Sequence, residues 1–503
     1  MIWPLVAVAV LLATFWLRWR YKNKRLIEMA RTFPGPRTLP LLGSSHLFMG
    51  RTEELINVIN ELMTTYGDVY QIWFGPELNI FLSNPDDLKV VLTNPKMSFK
   101  GPQYKYMTNI IGGGILSGSG TAWRKHRKIA TPNYGKRAIE SYGDIFNQEV
   151  DILLKNYREM YKGKQFDIYD SIVQTTSYSV CQTLMGLSRE ETLSIPHLQD
   201  LIDSTPRMYD VIFDRMTKWY LQIDPLFWFT SSNFMLKDFV SKMNKFGNDV
   251  LMKRMKKLKI TDKSKLDLMN TDEDSMNNTQ LSVIDRFLLS HELDDEELLT
   301  ETFTVFTSSQ EASAKIASFL ILMMAYHPNC QEKLHKEIVS VLGDKDRPVT
   351  DEDLRQMPYL EMAFKEVLRL FPIGSMLQRT VTDDIKISSG TLPAGSALVI
   401  PVYHIHRDAR FWTNPEAFDP ERFTPENIRL RKPNCYIPFS LGPMDCLGRY
   451  FGTKLIKTIC VRVLREFKVT SLDRYEDLQV KMAISVASLS GFDVILTPRN
   501  NGV

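Results

Sequence analysis

The sequence predicts a mainly α-helical chain with a minor β region. Residues 300–327 contain neither proline nor glycine and are followed by Pro328, which predicts a helix of roughly 40 Å at about 1.5 Å per residue. Two short stretches with strand-like alternation, 69–73 and 79–82, flank a Gly-Pro turn. Between residues 385 and 402, β-type residues alternate with turn residues, which indicates a further small sheet.

The composition excludes several classes of protein. Of 503 residues, 44% are hydrophobic and 24% are charged, which excludes disordered, collagen-like and multi-span membrane chains. The net charge of +3 gives no argument for nucleic-acid binding. The five cysteines form neither a C-x-x-C pair nor a zinc-type spacing, so we expect a reducing compartment and no disulfide framework.

The amino terminus predicts a single-pass transmembrane anchor over residues 1–17, because residues 2–17 are apolar and uncharged and basic residues follow at once. The positive-inside rule then places the remaining chain in the cytosol. Residues 18–43 are basic and proline-rich and are predicted to form a semi-rigid linker. Residues 44–503 show no internal repeat and form one large domain, within which the polar stretch 259–278 is an exposed connection.

One cysteine is set apart from the other four by its surroundings. Cys446 lies between Gly442 and Gly448 and precedes a predicted helix over residues 447–465. A thiol at the amino end of a helix meets unpaired N–H groups and the positive end of the helix dipole, both of which favour the thiolate. The flanking glycines let a large flat ligand approach the backbone. This combination is typical of a thiolate metal ligand.

The same stretch resembles the haem-binding loop of the cytochrome P-450 family of haem-thiolate monooxygenases, F-x-x-G-x-[R/H]-x-C-x-G. The usual basic position is Met444 in this chain. The resemblance covers nearly the whole chain after the anchor and implies the family's single large fold, with residues 44–503 as the haem-thiolate catalytic domain. It also implies haem b as cofactor and Cys446 as the iron ligand. The matched positions are Phe439, Gly442, Cys446 and Gly448.

Further motifs of this family fall in the expected order. Glu366 and Arg369 match the E-x-x-R of a helix, and Arg422 of Pro-Glu-Arg-Phe would join them in a structural network beneath the haem. Trp123 and Arg127 match W-x-x-x-R, at a spacing that places both side chains on one helix face. The resemblance implies contacts with the haem propionates for both residues. Arg379 matches the position of another propionate partner.

Residues 308–313 align with the family's oxygen-activating helix pattern, [A/G]-G-x-[D/E]-T-[T/S]. Glu311 holds the acid position, whereas Ala312 replaces the threonine that normally relays protons. Ser313, Ser309 or an ordered water would then substitute for that hydroxyl. The catalytic candidates are therefore Glu311, Ala312 and Ser313. The branch resembles the fourth family of animal microsomal enzymes, and Ser308 replaces the glutamate that bonds covalently to haem in many members, which predicts non-covalent haem.

The resemblance implies that an aromatic-rich segment at residues 219–229 lies over the access channel near the bilayer, so we expect a lipophilic substrate. Electrons would come from NADPH–cytochrome reductase, with a cytochrome b-type donor as a further source, since the chain has no flavin or nicotinamide fingerprint. The candidate pocket walls are Ile110, Ile111, Leu116, Phe303, Phe306, Ile373 and Leu489. The candidate basic patch for the reductase is Lys125, Lys128, Lys136, Arg137, Arg449, Lys454 and Lys457.

These features predict a haem-thiolate monooxygenase of the endoplasmic reticulum membrane, with a cytosolic catalytic domain. One oxygen atom of O₂ would enter a lipophilic small molecule as a hydroxyl or an epoxide. Two alternatives remain open at this point. Ala312 permits a haem-thiolate isomerase or dehydratase that needs no O₂, and Ala312 together with Met444 permits a non-catalytic haem or lipid binder.

Overall fold

The fold follows the predicted mixture of many helices and few strands. A computed structural model describes residues 2–160, 163–259, 281–343 and 347–499 of the chain. The predicted connection at residues 259–278 lies almost wholly outside the described residues. Within them, the prediction of a mainly α-helical chain with a minor β region is confirmed.

A 32-residue helix, Asp295–Tyr326, runs through the core and is called the central helix below. Asp294 caps the amino end of the central helix. The Asp294 side chain accepts a hydrogen bond from the Glu297 N–H, and the Glu297 carboxylate accepts one from the Asp294 N–H. Residues 316–325 are all buried, which explains why this half is apolar on every face. The other α-helices of the described residues are Ile2–Lys22, Lys24–Ala30, Leu55–Tyr66, Pro85–Leu92, Lys105–Ile111, Gly120–Ala130, Lys136–Ser141, Gly143–Met160, Tyr169–Thr183, Arg189–Leu193, Leu198–Thr217, Asp224–Trp228, Ser231–Lys257, Val283–Ser290, Pro328–Leu342, Asp351–Arg355, Pro358–Leu370, Val402–Ile405, Pro425–Leu430 and Arg449–Glu466.

The largest sheet of the described chain has four strands, β1 Val69–Phe74, β2 Glu77–Leu82, β4 Leu377–Thr380 and β7 Ala397–Ile400, in the order β1-β2-β7-β4. β1 and β2 form an antiparallel hairpin in which Phe74 pairs with Glu77, so the strands predicted at 69–73 and 79–82 are confirmed. β7 runs parallel to β2 and antiparallel to β4, which carries Arg379. The other strands of the described residues are β3 Gln165–Asp167, β5 Ile385–Ile387, β6 Gly390–Leu392, β8 Phe467–Thr470, β9 Val480–Lys481, β10 Ala487–Ser488 and β11 Asp493–Pro498.

The amino-terminal residues form the helix Ile2–Lys22, whose last turn contains Arg20 and Lys22. In the part of the chain that the structure describes, no helix combines enough length with enough hydropathy to cross a membrane. The single-pass anchor over residues 1–17 stays a prediction. The uncharged run ends at Leu17, and Arg18 already lies in the same helix.

A buried charge network, formed by Glu366, Arg369 and Arg422 as predicted, is called the scaffold network below. Two hydrogen bonds of 2.7 Å join Arg369 to Glu366, and Arg422 Nε lies 3.3 Å from Glu366 Oε1. Glu366 and Arg369 are fully buried, so each charge depends on its partner for compensation. Arg369 also donates to the carbonyl oxygens of His406, Pro415 and Ala417.

Candidate active site

A cavity of about 410 Å³ lies between the central helix and the loop that carries Cys446. This loop, residues 436–448, is called the cysteine loop. Most of the cavity wall is apolar. The central helix contributes side chains at intervals of three or four residues, as expected for one helix face. They are Thr304, Val305, Ser308, Ser309, Ala312, Ser313 and Ile316.

The backbone of the cysteine loop turns back on itself to present the thiol. The Cys446 N–H donates to the Phe439 carbonyl oxygen at 2.9 Å. Gly442 has a φ of 73°, and a Cβ there would lie 2.2 Å from the Leu92 carbonyl oxygen, so only glycine fits. Gly448 is the residue before the first turn of Arg449–Glu466, so this helix begins two residues later than predicted and Cys446 lies just ahead of it.

The Cys446 thiol faces the cavity. Its side chain is exposed to the space of the cavity, which it lines together with Phe439 and Gly448. Burial among protein atoms raises the pKa of this thiol, against the opposing effects of the Gly448 N–H and the Arg127 guanidinium. A bound metal cation would reverse this balance and hold the sulfur as a thiolate. The thiol is therefore placed and oriented as a ligand for a metal centre inside the cavity.

Basic side chains cluster on one side of the cavity. Arg127 lines it and lies 5.6 Å from the centre of the Trp123 ring. Lys100 also lines it, and burial together with the charges of Arg379 and Arg127 holds the pKa of Lys100 well below its usual value. Arg379 is buried next to the cavity lining, where it donates a hydrogen bond of 3.0 Å to the carbonyl oxygen of Gln378. Burial lowers the pKa of Arg379. In the described residues no carboxylate pairs with Lys100 or Arg379, so this cluster fits an anionic ligand such as a haem propionate.

Lys100 is not among the predicted site residues, although it is a basic residue that precedes the Trp123 helix in the sequence. It brings a basic side chain to the cavity, where Met444 stands in place of the family's usual basic residue. Met444 is buried and lines the cavity without charge. Arg127 donates two hydrogen bonds of 2.6 Å to Asp445, one to its carbonyl oxygen and one to its carboxylate. The negative charge beside Cys446 is thus neutralised by the residue predicted to bind a propionate. The pairing of Arg127 with Asp445 is visible only in the three-dimensional arrangement, because the two residues lie far apart in the sequence.

The predicted catalytic residues of the central helix separate into two groups. Ala312 and Ser313 line the cavity, whereas Glu311 does not. The Glu311 carboxylate lies 2.5 Å from Lys315 Nζ, and both side chains are almost fully buried. Lys315 also donates to the Ser485 hydroxyl at 2.5 Å. Glu311 is therefore engaged in an ion pair outside the cavity.

Two sets of sequence predictions need correction. Of the predicted pocket walls, Leu116 and Ile373 line the cavity, but Phe303 and Phe306 do not. These two rings lie on another face of the central helix, where they pack against phenylalanines of Ser231–Lys257. The predicted walls that also lie elsewhere are Ile110, Ile111 and Leu489.

The predicted basic patch is smaller than expected. Lys454 is buried and donates to Asp351 at 2.6 Å, and Lys457 is buried against Glu361. Lys125 is half-buried and donates to the Glu292 carbonyl oxygen at 2.6 Å. These lysines hold helices together and do not present free charge. The exposed members of the patch are Lys128, Lys136, Arg137 and Arg449.

A cysteine that faces an apolar cavity, with unpaired cations at one side for an anionic cofactor, defines a haem-thiolate protein. The family model for Cytochrome P450 matches residues 33–491, and the chain belongs to this family. Its relatives include Cytochrome P450 4c3 of Drosophila melanogaster, 27% identical over 95% of this chain and 91% of the relative. Cytochrome P450 4d1 of the same fly is 31% identical over 90% of each chain. Cytochrome P450 4V2 of Homo sapiens is 28% identical over 92% of this chain and 89% of the relative.

These relatives place the chain in the fourth P450 branch, as the sequence resemblance predicted. The protein is a cytochrome P450 monooxygenase, and it binds haem b non-covalently through a cysteine thiolate. The exposed cysteine, the cation cluster and the glycine-dependent turn of the cysteine loop all fit that cofactor.

Proposed function

We propose that the enzyme inserts one oxygen atom of O₂ into a lipophilic small molecule, by hydroxylation or epoxidation, with electrons from NADPH through a reductase. The observation that carries this proposal is the mainly apolar cavity that opens directly onto Cys446. An apolar wall favours apolar substrates, because burial removes their surface from water. Haem supplies the oxygen-activating chemistry when bound, and the protein supplies position, exclusion of water and protons.

The residues that would hold the haem come from four separate segments. Cys446 is the proposed iron ligand, with Gly448 donating its N–H toward the sulfur. Trp123, Arg127 and Arg379 are the proposed propionate partners, now with Lys100 added from its place in the cavity. Phe439 and Gly442 shape the loop so that the thiol points into the cavity.

The proton-delivery role is assigned to hydroxyls that reach the cavity. Ser313 follows Ala312 and lines the cavity, so it takes the alcohol role that Ala312 has lost. Ser309 also lines the cavity, as does the Tyr134 phenol, whose pKa is raised by burial. Glu311 would serve as the acid only after its side chain leaves Lys315. Ser313→Ala should therefore lower product formed per NADPH consumed more than Ser308→Ala does.

The redox partner surface is the exposed basic patch of Lys128, Lys136, Arg137 and Arg449. These cations would steer an acidic domain of NADPH–cytochrome reductase, or a cytochrome b-type donor, toward the cysteine side. Reversal of two of these charges should slow the first electron transfer, and more strongly at low salt. Reversal of the charge of Lys454 should instead destabilise the fold, because this lysine is buried and pairs with Asp351.

The proposed location is the endoplasmic reticulum membrane, with the catalytic domain on the cytosolic side and held at the membrane surface. Basic residues follow the amino-terminal helix, as expected for a cytosolic flank. A second apolar surface, over residues 223–234, supports contact with lipid. Exposed apolar side chains of the two regions include Trp3, Leu11, Phe15, Leu17, Leu226, Trp228, Phe229 and Phe234.

The test is reconstitution of the purified chain with NADPH–cytochrome reductase and a panel of lipophilic compounds under ¹⁸O₂. The proposal predicts a product that carries one labelled oxygen and requires both NADPH and O₂. Turnover that continues without O₂ and NADPH would contradict it and favour an isomerase or dehydratase.

A further inference from the structure

The cavity wall and the Trp123 helix, Gly120–Ala130, meet at one buried carboxylate. Glu301 lies on the central helix and is fully buried. Its Oε1 accepts a hydrogen bond of 2.7 Å from the Ile115 N–H and lies 2.6 Å from His126 Nδ1. Ile115 belongs to residues 112–118, called the wall loop below, and its side chain lines the cavity. A single oxygen atom therefore joins three segments.

The surroundings of His126 favour its charged form. Burial alone would lower the pKa of His126, but the hydrogen bond and charge of Glu301, together with Glu297, outweigh burial and raise it. Glu297 Oε1 lies 3.4 Å from His126 Nε2, and Lys125 Nζ lies 3.4 Å from Glu297 Oε2. His126 thus lies between two carboxylates that favour its charged form, while Lys125 compensates the outer one.

The backbone of the wall loop is shaped to admit this carboxylate. A Cβ built at Gly114 would lie 1.9 Å from Glu301 Oε1. The end of a glutamate side chain normally moves aside, but this oxygen is held by both Ile115 and His126. Glycine at position 114 therefore lets the loop approach the central helix closely enough for Glu301 Oε1 to reach the Ile115 N–H.

We propose that Glu301 is a positioning residue of the active site, fixing both the wall loop and the Trp123 helix to the central helix. Neither Glu301 nor His126 lines the cavity, so Glu301 acts through Ile115 on the substrate side and through His126 on the side of Trp123 and Arg127. This role rests on the proposed function, because the wall loop matters to catalysis only when substrate binds in this cavity.

The experiment compares holoenzymes that carry Glu301→Leu, Glu301→Gln or Gly114→Ala with the wild type. Glu296→Gln is the matched control, since Glu296 is an exposed acid of the same helix. Hydrogen exchange measured by mass spectrometry reports opening of the wall loop. Spectral titrations with imidazole and with 4-phenylimidazole measure binding of each ligand in the cavity. The two ligands differ by a phenyl ring, and only this ring requires an ordered cavity wall.

Glu301→Leu is expected to accelerate hydrogen exchange in residues 112–118 by about tenfold or more, since a charge-assisted hydrogen bond is lost. The same variant should bind 4-phenylimidazole about tenfold more weakly than the wild type, and imidazole less than about twofold more weakly. Gly114→Ala should have the same pattern. Glu301→Gln should show a smaller effect, because an amide oxygen still accepts from Ile115 but does not pair with a charged His126. Glu296→Gln should match the wild type.

Unchanged exchange of the wall loop in Glu301→Gln and Gly114→Ala would overturn the proposal, whether or not Glu301→Leu folds. Equal weakening of both ligands would also overturn it, because the effect would then lie at the haem and not at the wall. The exchange measurement needs no turnover. A wild-type chain with no monooxygenase activity would therefore count against the proposed function and leave the role of Glu301 to be decided separately.

Discussion

Two buried charge networks of this enzyme contrast in how completely their groups are paired. In the scaffold network, Arg369 makes five hydrogen bonds to Glu366 and to three carbonyl oxygens. The second network consists of Glu301, His126 and Glu297. In it, Glu301 Oε2 and His126 Nε2 are buried without a hydrogen-bond partner in the described residues, whereas in the scaffold network only Arg422 Nε is. The second network lies beside the cavity and the first lies away from it.

The difference shows where this chain has departed from its family. The scaffold network matches the family pattern at each position and compensates its own charges. The departures, Ala312 and Met444, both line the cavity. Arg127 pairs with Asp445 at this cavity, and Glu311 pairs with Lys315 outside it. Unpaired polar groups carry a cost, and they persist where function demands them.

The largest effect is expected at the scaffold network. Arg369→Met should reduce the free energy of unfolding by about 3–5 kcal/mol, because it removes five hydrogen bonds and leaves the buried Glu366 carboxylate with only the more distant Arg422 as a cationic partner. Urea unfolding of the holoenzyme measures this loss, with the exposed Arg429 changed to Met as the control. A loss of less than about 1 kcal/mol would show that the network does not hold the fold.

Removal of Lys315 in Lys315→Met should cost less, about 2–3 kcal/mol, because Lys315 makes one ion pair with Glu311 and one hydrogen bond to Ser485, whereas Arg369 makes five hydrogen bonds. The double variant Glu311→Gln/Lys315→Met should recover most of that stability, since neither remaining side chain carries a charge. Unfolding midpoints of the two variants give the comparison. If the double variant is as unstable as Lys315→Met, the ion pair is not the reason for the loss.

Lys100→Leu should weaken haem retention while leaving the fold intact, because it removes one unpaired cation from the cavity. A charge-assisted hydrogen bond of about 1.5–3 kcal/mol corresponds to a loss of about 10–100-fold in haem affinity. Haem transfer to apomyoglobin measures the rate of loss, and the exposed Lys96→Leu serves as control. Equal rates for the two variants would remove Lys100 from the haem site.

The smallest effect concerns pH. The raised pKa of His126 means that its pairing with Glu301 and Glu297 stabilises the fold fully below about pH 6.5, the value of an unfolded histidine. This contribution is lost as the pH rises through the higher folded value. The wild type should therefore lose more stability than His126→Phe between pH 6 and pH 9. Parallel pH profiles of thermal unfolding would contradict the charged state of His126.

Much of this architecture could be predicted from the sequence because its signals are local. The proline-free run predicts the central helix, and the glycines around Cys446 predict a turn that the positive φ of Gly442 requires. Other features depend on contacts between distant segments. The ion pair of Glu311 with Lys315 competes with its expected role, and Lys454 looks like a surface charge until Asp351 is placed beside it. Burial decides such cases, and burial is a property of the folded chain.

The central claim is that Cys446 is the axial thiolate ligand of the haem iron, and the reduced carbon-monoxide difference spectrum tests it most directly. Cys446→Ser should abolish the red-shifted Soret band, or the bound pigment altogether, whereas Cys330→Ser should leave the band unchanged. A Cys446→Ser protein with the wild-type spectrum would contradict the account.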